Sequence, residues 1–163
     1  SIGAAHAVRV NSDVRPHRTG MPRLDTKLEA EGAEFLALGQ MLLQRIPTYK
    51  TYTNMPGYDL VATNPSTNRS ARVQVKSRWR TGAPGFIINN FDCEFVVVVR
   101  LNRGHKNGGG NVLPPEFFVF PVAVVQSIHQ PGGWGKVHFR HIEDLESFRD
   151  NWQQVADFLA APA

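Results

Sequence analysis

Cysteine is nearly absent: Cys93 is the only one among 163 residues. An intrachain disulfide is excluded, as is a zinc site built on cysteine thiolates, and a reducing, cytoplasmic setting is expected. Long apolar runs are missing too. The longest lie at residues 95–99 and, interrupted by proline, 117–125, far short of the roughly 20 residues a membrane helix needs. No membrane partner is therefore expected. The first 20 residues lack a charged stretch followed by an apolar block, so they do not read as a secretory signal. Neither glycine-rich stretch, 104–110 or 132–136, carries the G-x-x-x-x-G-K-[ST] pattern of a nucleotide cradle.

What is present is a modest positive balance, +4 at neutral pH, which permits a polyanionic partner without requiring one. Residues 1–25 read as a flexible basic arm, with Arg9, Arg15, Arg18, His6 and His17 set against Asp13. Residues 26–163 read as a single domain, a length sufficient for one substantial core. From Thr26 to about Arg45, the residues Leu28, Phe35, Leu36, Leu38, Met41, Leu42 and Leu43 recur at helical spacing. Pro47 limits this helix at its far end. Residues 48–53 suit a strand. The β-branched run at 95–100 predicts a strand buried on both faces at the centre of the sheet. A further strand is expected at 116–120, a short helix or strand extension at 122–128, a small strand at 136–139, and a second long helix over 142–160. The glycine-rich stretch 102–111 reads as a flexible excursion.

The densest signal lies between these elements. Residues 57–62 and 73–77 alternate polar and apolar side chains, and Asn64-Pro65-Ser66-Thr67-Asn68-Arg69 between them is rich in turn formers, which predicts a β-hairpin. A turn centred between Ser66 and Thr67 pairs residues whose numbers sum to 133, placing Asp59 opposite Gln74. Alternation then puts Asp59, Gln74 and Lys76 on one face and Tyr58, Leu60, Val73 and Val75 on the other. An acid, an amide and a lysine so arranged suit metal-assisted chemistry on an anionic substrate. Arg69, Arg72, Arg78 and Arg80 surround the hairpin with Trp79 among them, a mixture able to hold a phosphate backbone and stack on an unpaired base. His138 and His141 stand three residues apart, and His105 sits in the glycine-rich loop; neither completes a metal or nuclease motif.

In this order of elements the chain resembles the PD-(D/E)XK, or restriction-endonuclease-like, nuclease superfamily over about residues 26–128. Pro56-Gly57-Tyr58-Asp59 is similar to the proline-and-aspartate element, although two residues separate Pro56 from Asp59. Gln74-Val75-Lys76 is similar to the (D/E)-x-K element, with Gln74 where the second acid usually stands. The helical acid would be Glu34, with Glu31 and Glu29 as neighbouring alternatives. The resemblance implies an α/β fold with a central mixed β-sheet flanked by helices, and a metal-dependent endonuclease that hydrolyses phosphodiester bonds in DNA, duplex or branched. Mg²⁺ would be the cofactor and Mn²⁺ its substitute, held by Asp59, Gln74, the Val75 carbonyl and Glu34, with Lys76 orienting or activating the attacking water. A homodimer would allow both strands to be cut. The alternative is a catalytically inactive nucleic-acid-binding or protein-interaction module of the same fold.

Overall fold

A computed structural model describes residues 26–52, 57–130, 132 and 134–162. The basic arm at 1–25 and Pro56 of the proline-and-aspartate element lie outside the described residues. The elements run α1 (Thr26–Leu43), β1 (Thr48–Lys50), β2 (Leu60–Asn64), β3 (Arg69–Arg78), β4 (Gly85–Ile87), β5 (Phe95–Arg100), β6 (Glu116–Pro121), α2 (Val122–Ile128), β7 (Lys136–His138) and α3 (Gln153–Ala160). Five strands form one mixed sheet in the order β1-β2-β3-β5-β6, parallel only between β3 and β5, and β4 pairs with β7 in a small second sheet. This is the α/β architecture expected from the sequence.

Two cores sit on opposite faces of the five-stranded sheet. Because side chains alternate along a strand, β5 sends Phe95, Val97 and Val99 into a core shared with α1 and α3, and Val96 and Val98 into one shared with α2, β4 and β7. The run at 95–100 is thus buried on both faces, as its composition predicts. It is not the middle strand, however; β3 holds that place, between β2 and β5. On its polar face β3 carries Ser70, Arg72, Gln74, Lys76 and Arg78, of which only Gln74 is buried, so the middle strand lacks the apolar run that marks β5.

The first helix forms as expected but packs through an uneven face, and the second is corrected. Helix α1 packs on the sheet through Ala33, Ala37 and Met41, spaced four apart and fully buried, whereas Leu28, Phe35, Leu36, Leu42 and Leu43 are exposed. Small residues let the helix backbone approach the sheet closely, so the larger apolar side chains face outward. Residues 142–160 do not form one long helix. Asp144 (φ 53°) and Asp150 (φ 50°) adopt the left-handed conformation, which a short acidic side chain tolerates but a continuous helix does not. Between them lies a single 3₁₀ turn, Leu145–Phe148, and α3 starts only at Gln153. The break lets Asp150 N–H donate to the Phe117 carbonyl (2.9 Å), tying the segment to β6.

The glycine-rich excursion is anchored. Buried Asn102 (φ 54°) donates through Nδ2 to the Pro114 carbonyl and to Glu116 Oε1, both at 2.9 Å, and its Oδ1 accepts from Gly82 N–H at 3.0 Å. Leu113 N–H closes the loop on the Asn102 carbonyl (2.9 Å).

Candidate active site

The hairpin of β2 and β3 has the expected register. Leu60 pairs with Val73, Val61 with Arg72, and so on to Asn64 with Arg69, every pair summing to 133. The turn is closed by Asn68 N–H to the Asn64 carbonyl (2.8 Å) and by Ser66 N–H to Asn64 Oδ1 (2.9 Å).

The ladder stops one pair short of Asp59 and Gln74. Asp59 N–H donates instead to the Val73 carbonyl (2.9 Å), so Asp59 and Leu60 both face Val73 across the hairpin, as in a β-bulge. The carboxylate then takes the place of a strand partner: Val75 N–H donates to Asp59 Oδ2 at 2.8 Å. An extra residue reverses alternation upstream of it. Tyr58 accordingly packs with the second core, opposite to expectation, and the Asp59 carboxylate comes beside Glu34 of α1. The three residues of the expected shared face are thus divided.

Gln74 and Lys76 do share a face. Val73 belongs to the core beneath α1 and Val75 packs against it, so Gln74 between them is turned the other way, paired with Val96 of the second core. Lys76 follows opposite Val98 and is half-buried. Gln74 is 8% exposed, and its Oε1 is buried without a hydrogen-bond partner. Leaving an acceptor unsatisfied in this way costs on the order of 1–3 kcal/mol.

Glu34 is the helical acid that the structure brings to Asp59. Burial pushes the Glu34 carboxyl above its ordinary range; a bond from Lys50 pulls it down, and the neighbouring Asp59 charge pushes it up again. Two carboxyls in contact leave a concentration of negative charge that favours a cation. Glu31, one turn earlier, is half-exposed and joins the cluster through Lys50 (3.1 Å). Lys50 on β1 was not singled out by the sequence reading. Its side chain is only 6% exposed and bonds to both Glu31 and Glu34. Its position in Thr48-Tyr49-Lys50, inward by alternation from exposed Tyr49, was the available signal.

The four arginines are differently engaged. Register places Arg72 and Arg78 on the Gln74 and Lys76 face. Arg72 is paired with Asp92 (2.8 Å) and Glu94 (3.1 Å), and Arg78 donates to the Gly85 carbonyl (2.6 Å). Arg69 stacks on Phe158, 4.3 Å from the ring centre, and donates to the Pro162 carbonyl (3.2 Å). Arg80 is exposed. Trp79 packs against the first core and, with Leu28, Leu36 and Leu101, lines an apolar groove of about 480 Å³ that takes in Glu29 but neither Glu34 nor Asp59. His138 and His141 approach with ring centres 5.5 Å apart. Among the described residues, no three histidine, cysteine, aspartate or glutamate side chains converge as a metal-binding group.

The chain is therefore an α/β protein built on a five-stranded mixed sheet flanked by helices, with a carboxyl pair where α1 meets the bulged end of β2. Among solved structures it is similar to the bacterial homing endonuclease I-Ssp6803I, with a TM-score of 0.59 and 22% identity, covering 83% of this chain and 94% of that one. The likeness is one of fold. No family model and no curated protein matches the sequence. Among the described residues, no helix is long and apolar enough to cross a membrane.

Proposed function

We propose that this chain is a DNA endonuclease that hydrolyses phosphodiester bonds with Mg²⁺, for which Mn²⁺ substitutes. The observation that carries the reading is the contact of the Glu34 and Asp59 carboxyls, from separate elements, at the strand that bears Gln74 and Lys76. Supporting it is the fold shared with a homing endonuclease.

The donor chemistry fits a hard cation. Mg²⁺ takes oxygen ligands, commonly one or two carboxylates completed by water and substrate phosphate. Asp59 and Glu34 supply the carboxylates, and the carbonyl of Val75 is a neutral oxygen on the adjoining strand; the unpartnered Oε1 of Gln74 lies on the other face of that strand and would have to turn to join them. The ion, when bound, offsets charge on the phosphate and lowers the pKa of a water. Lys76, on the same face as Gln74, would likewise have to turn towards the carboxyl pair, where its compact positive charge would orient the water and favour the more highly charged transition state. Neutral Gln74 in place of a carboxylate leaves the residues one negative charge fewer, so their hold on a cation would depend more on a DNA phosphate as a further ligand. Exposed Arg80 is the phosphate contact most ready to act; Arg69, Arg72 and Arg78 would have to exchange partners to join it. One site per chain cuts one strand, so cleavage of both strands calls for a homodimer.

The test is cleavage of duplex and branched DNA with Mg²⁺ or Mn²⁺, comparing the wild type with Asp59→Ala and Lys76→Ala. Each substitution should reduce the rate by at least about a hundredfold. Cleavage that survives both would overturn the assignment. Salt-dependent DNA binding without metal-dependent turnover would instead identify an inactive binding module.

A further inference from the structure

We infer that Lys50 is a positioning residue of this site, an internal counter-cation that occupies Glu34 and competes with the metal for it. The inference rests on the metal-site reading above and extends it to a residue outside the nuclease motif.

An ammonium withdrawn from water must be paired, and Lys50 is 6% exposed on a three-residue strand. Its charge is met by two carboxylates of α1, Glu34, itself 15% exposed, and Glu31 at 3.1 Å. The exposed Phe35 and Tyr52 rings flank the nitrogen, with centres 5.4 and 5.6 Å away. Lys50 also belongs to the site's own backbone: it pairs with Leu60, and the next residue, Thr51, donates its N–H and its hydroxyl to the Asp59 carbonyl at 2.9 and 3.0 Å. The ammonium therefore lies against the Glu34 carboxyl, which itself neighbours Asp59, and offsets part of the charge that would otherwise attract a divalent ion. A surface ion pair would have no such effect, since water screens it.

Three variants separate this role from simple packing. Lys50→Met keeps most of the volume and the apolar contacts but removes the charge. It should bind Mn²⁺ at least about tenfold more tightly in calorimetry without DNA, because a fixed positive charge near the ion has gone. The metal-free variant should also melt earlier than the wild type, and Mn²⁺ should recover more of that loss than the ion adds to the wild type. Glu31→Gln removes Lys50's more exposed partner, leaving the ammonium to Glu34 alone, and should weaken Mn²⁺ binding severalfold. Lys50→Arg should stay near the wild type.

A folded Lys50→Met protein with unchanged or weaker Mn²⁺ affinity overturns the inference, even where Asp59→Ala abolishes the wild-type isotherm. If Lys50→Met does not fold, unchanged affinity in Glu31→Gln overturns it. If neither the wild type nor Lys50→Met binds Mn²⁺, the metal-site reading fails and the inference falls with it.

Discussion

At the scale of single residues, the chain shows how far alternation along a strand can be trusted. Gln74, Val75 and Lys76 lie on the faces that period two assigns, because their strand is paired on both edges. Asp59 and Tyr58 do not, because one extra residue opposite Val73 reverses their sense. A bulge adds no composition signal beyond the glycine that often accompanies it. Here Gly57 (φ 90°) sits so close to Asn90 that an added Cβ would lie 2.6 Å from its Oδ1. Cys93 illustrates the legible case, since its isolation in the sequence marks it as inert and burial pushes its thiol up to about 11. At pH 8 it should react with an aromatic disulfide reagent more than about a hundredfold slower than free cysteine, since the thiolate is the attacking form. Urea should restore the ordinary rate, and fast labelling of the folded protein would contradict the burial.

Elements were legible where sequence and packing agree, and not where packing reverses the usual size rule. The turn formers at 64–69 fixed a hairpin whose register is as expected. In α1 the periodic large apolar residues are split: Leu38 and Met41 pack with Ala33 and Ala37 against the sheet, while Leu28 and Leu43 are more than 70% exposed. Substitution tests this directly. Ala37→Leu should destabilise the fold by about 1–3 kcal/mol through overpacking, whereas Leu43→Ser, nearly free of contacts, should change stability by less than about 0.5 kcal/mol. Chemical denaturation of the two variants decides which face carries the helix. The interruption of 142–160 was illegible for another reason. Its apolar spacing is helical, but tertiary hydrogen bonding from Asp150 to β6 outweighs that preference.

For the molecule as a whole, Glu116 links parts distant in sequence. Its carboxylate bonds to Arg100 of β5 (3.0 Å), to Arg149 ahead of α3 (2.5 Å) and to Asn102 (2.9 Å). Burial alone would raise its pKa, but Asn102, Arg149 and Arg100 outweigh burial and hold it below the ordinary value. A carboxyl held low adds stability that is complete above its unfolded pKa and disappears as pH falls through the folded one. Glu116→Gln should therefore cost about 2 kcal/mol at pH 7, and the gap from the wild type should close as the solution is acidified below pH 4 or so. A gap that is constant with pH would show that the side chain matters for shape alone. The central place of β3 has a further consequence for synthesis on the ribosome. Its neighbour β2 emerges before it, but its parallel partner β5 begins only at Phe95, so the edge from Val73 to Arg78 stays open until later residues arrive. A chain halted before Phe95 would present that edge as a template for other strands, and fragments ending there should aggregate where the full-length chain does not.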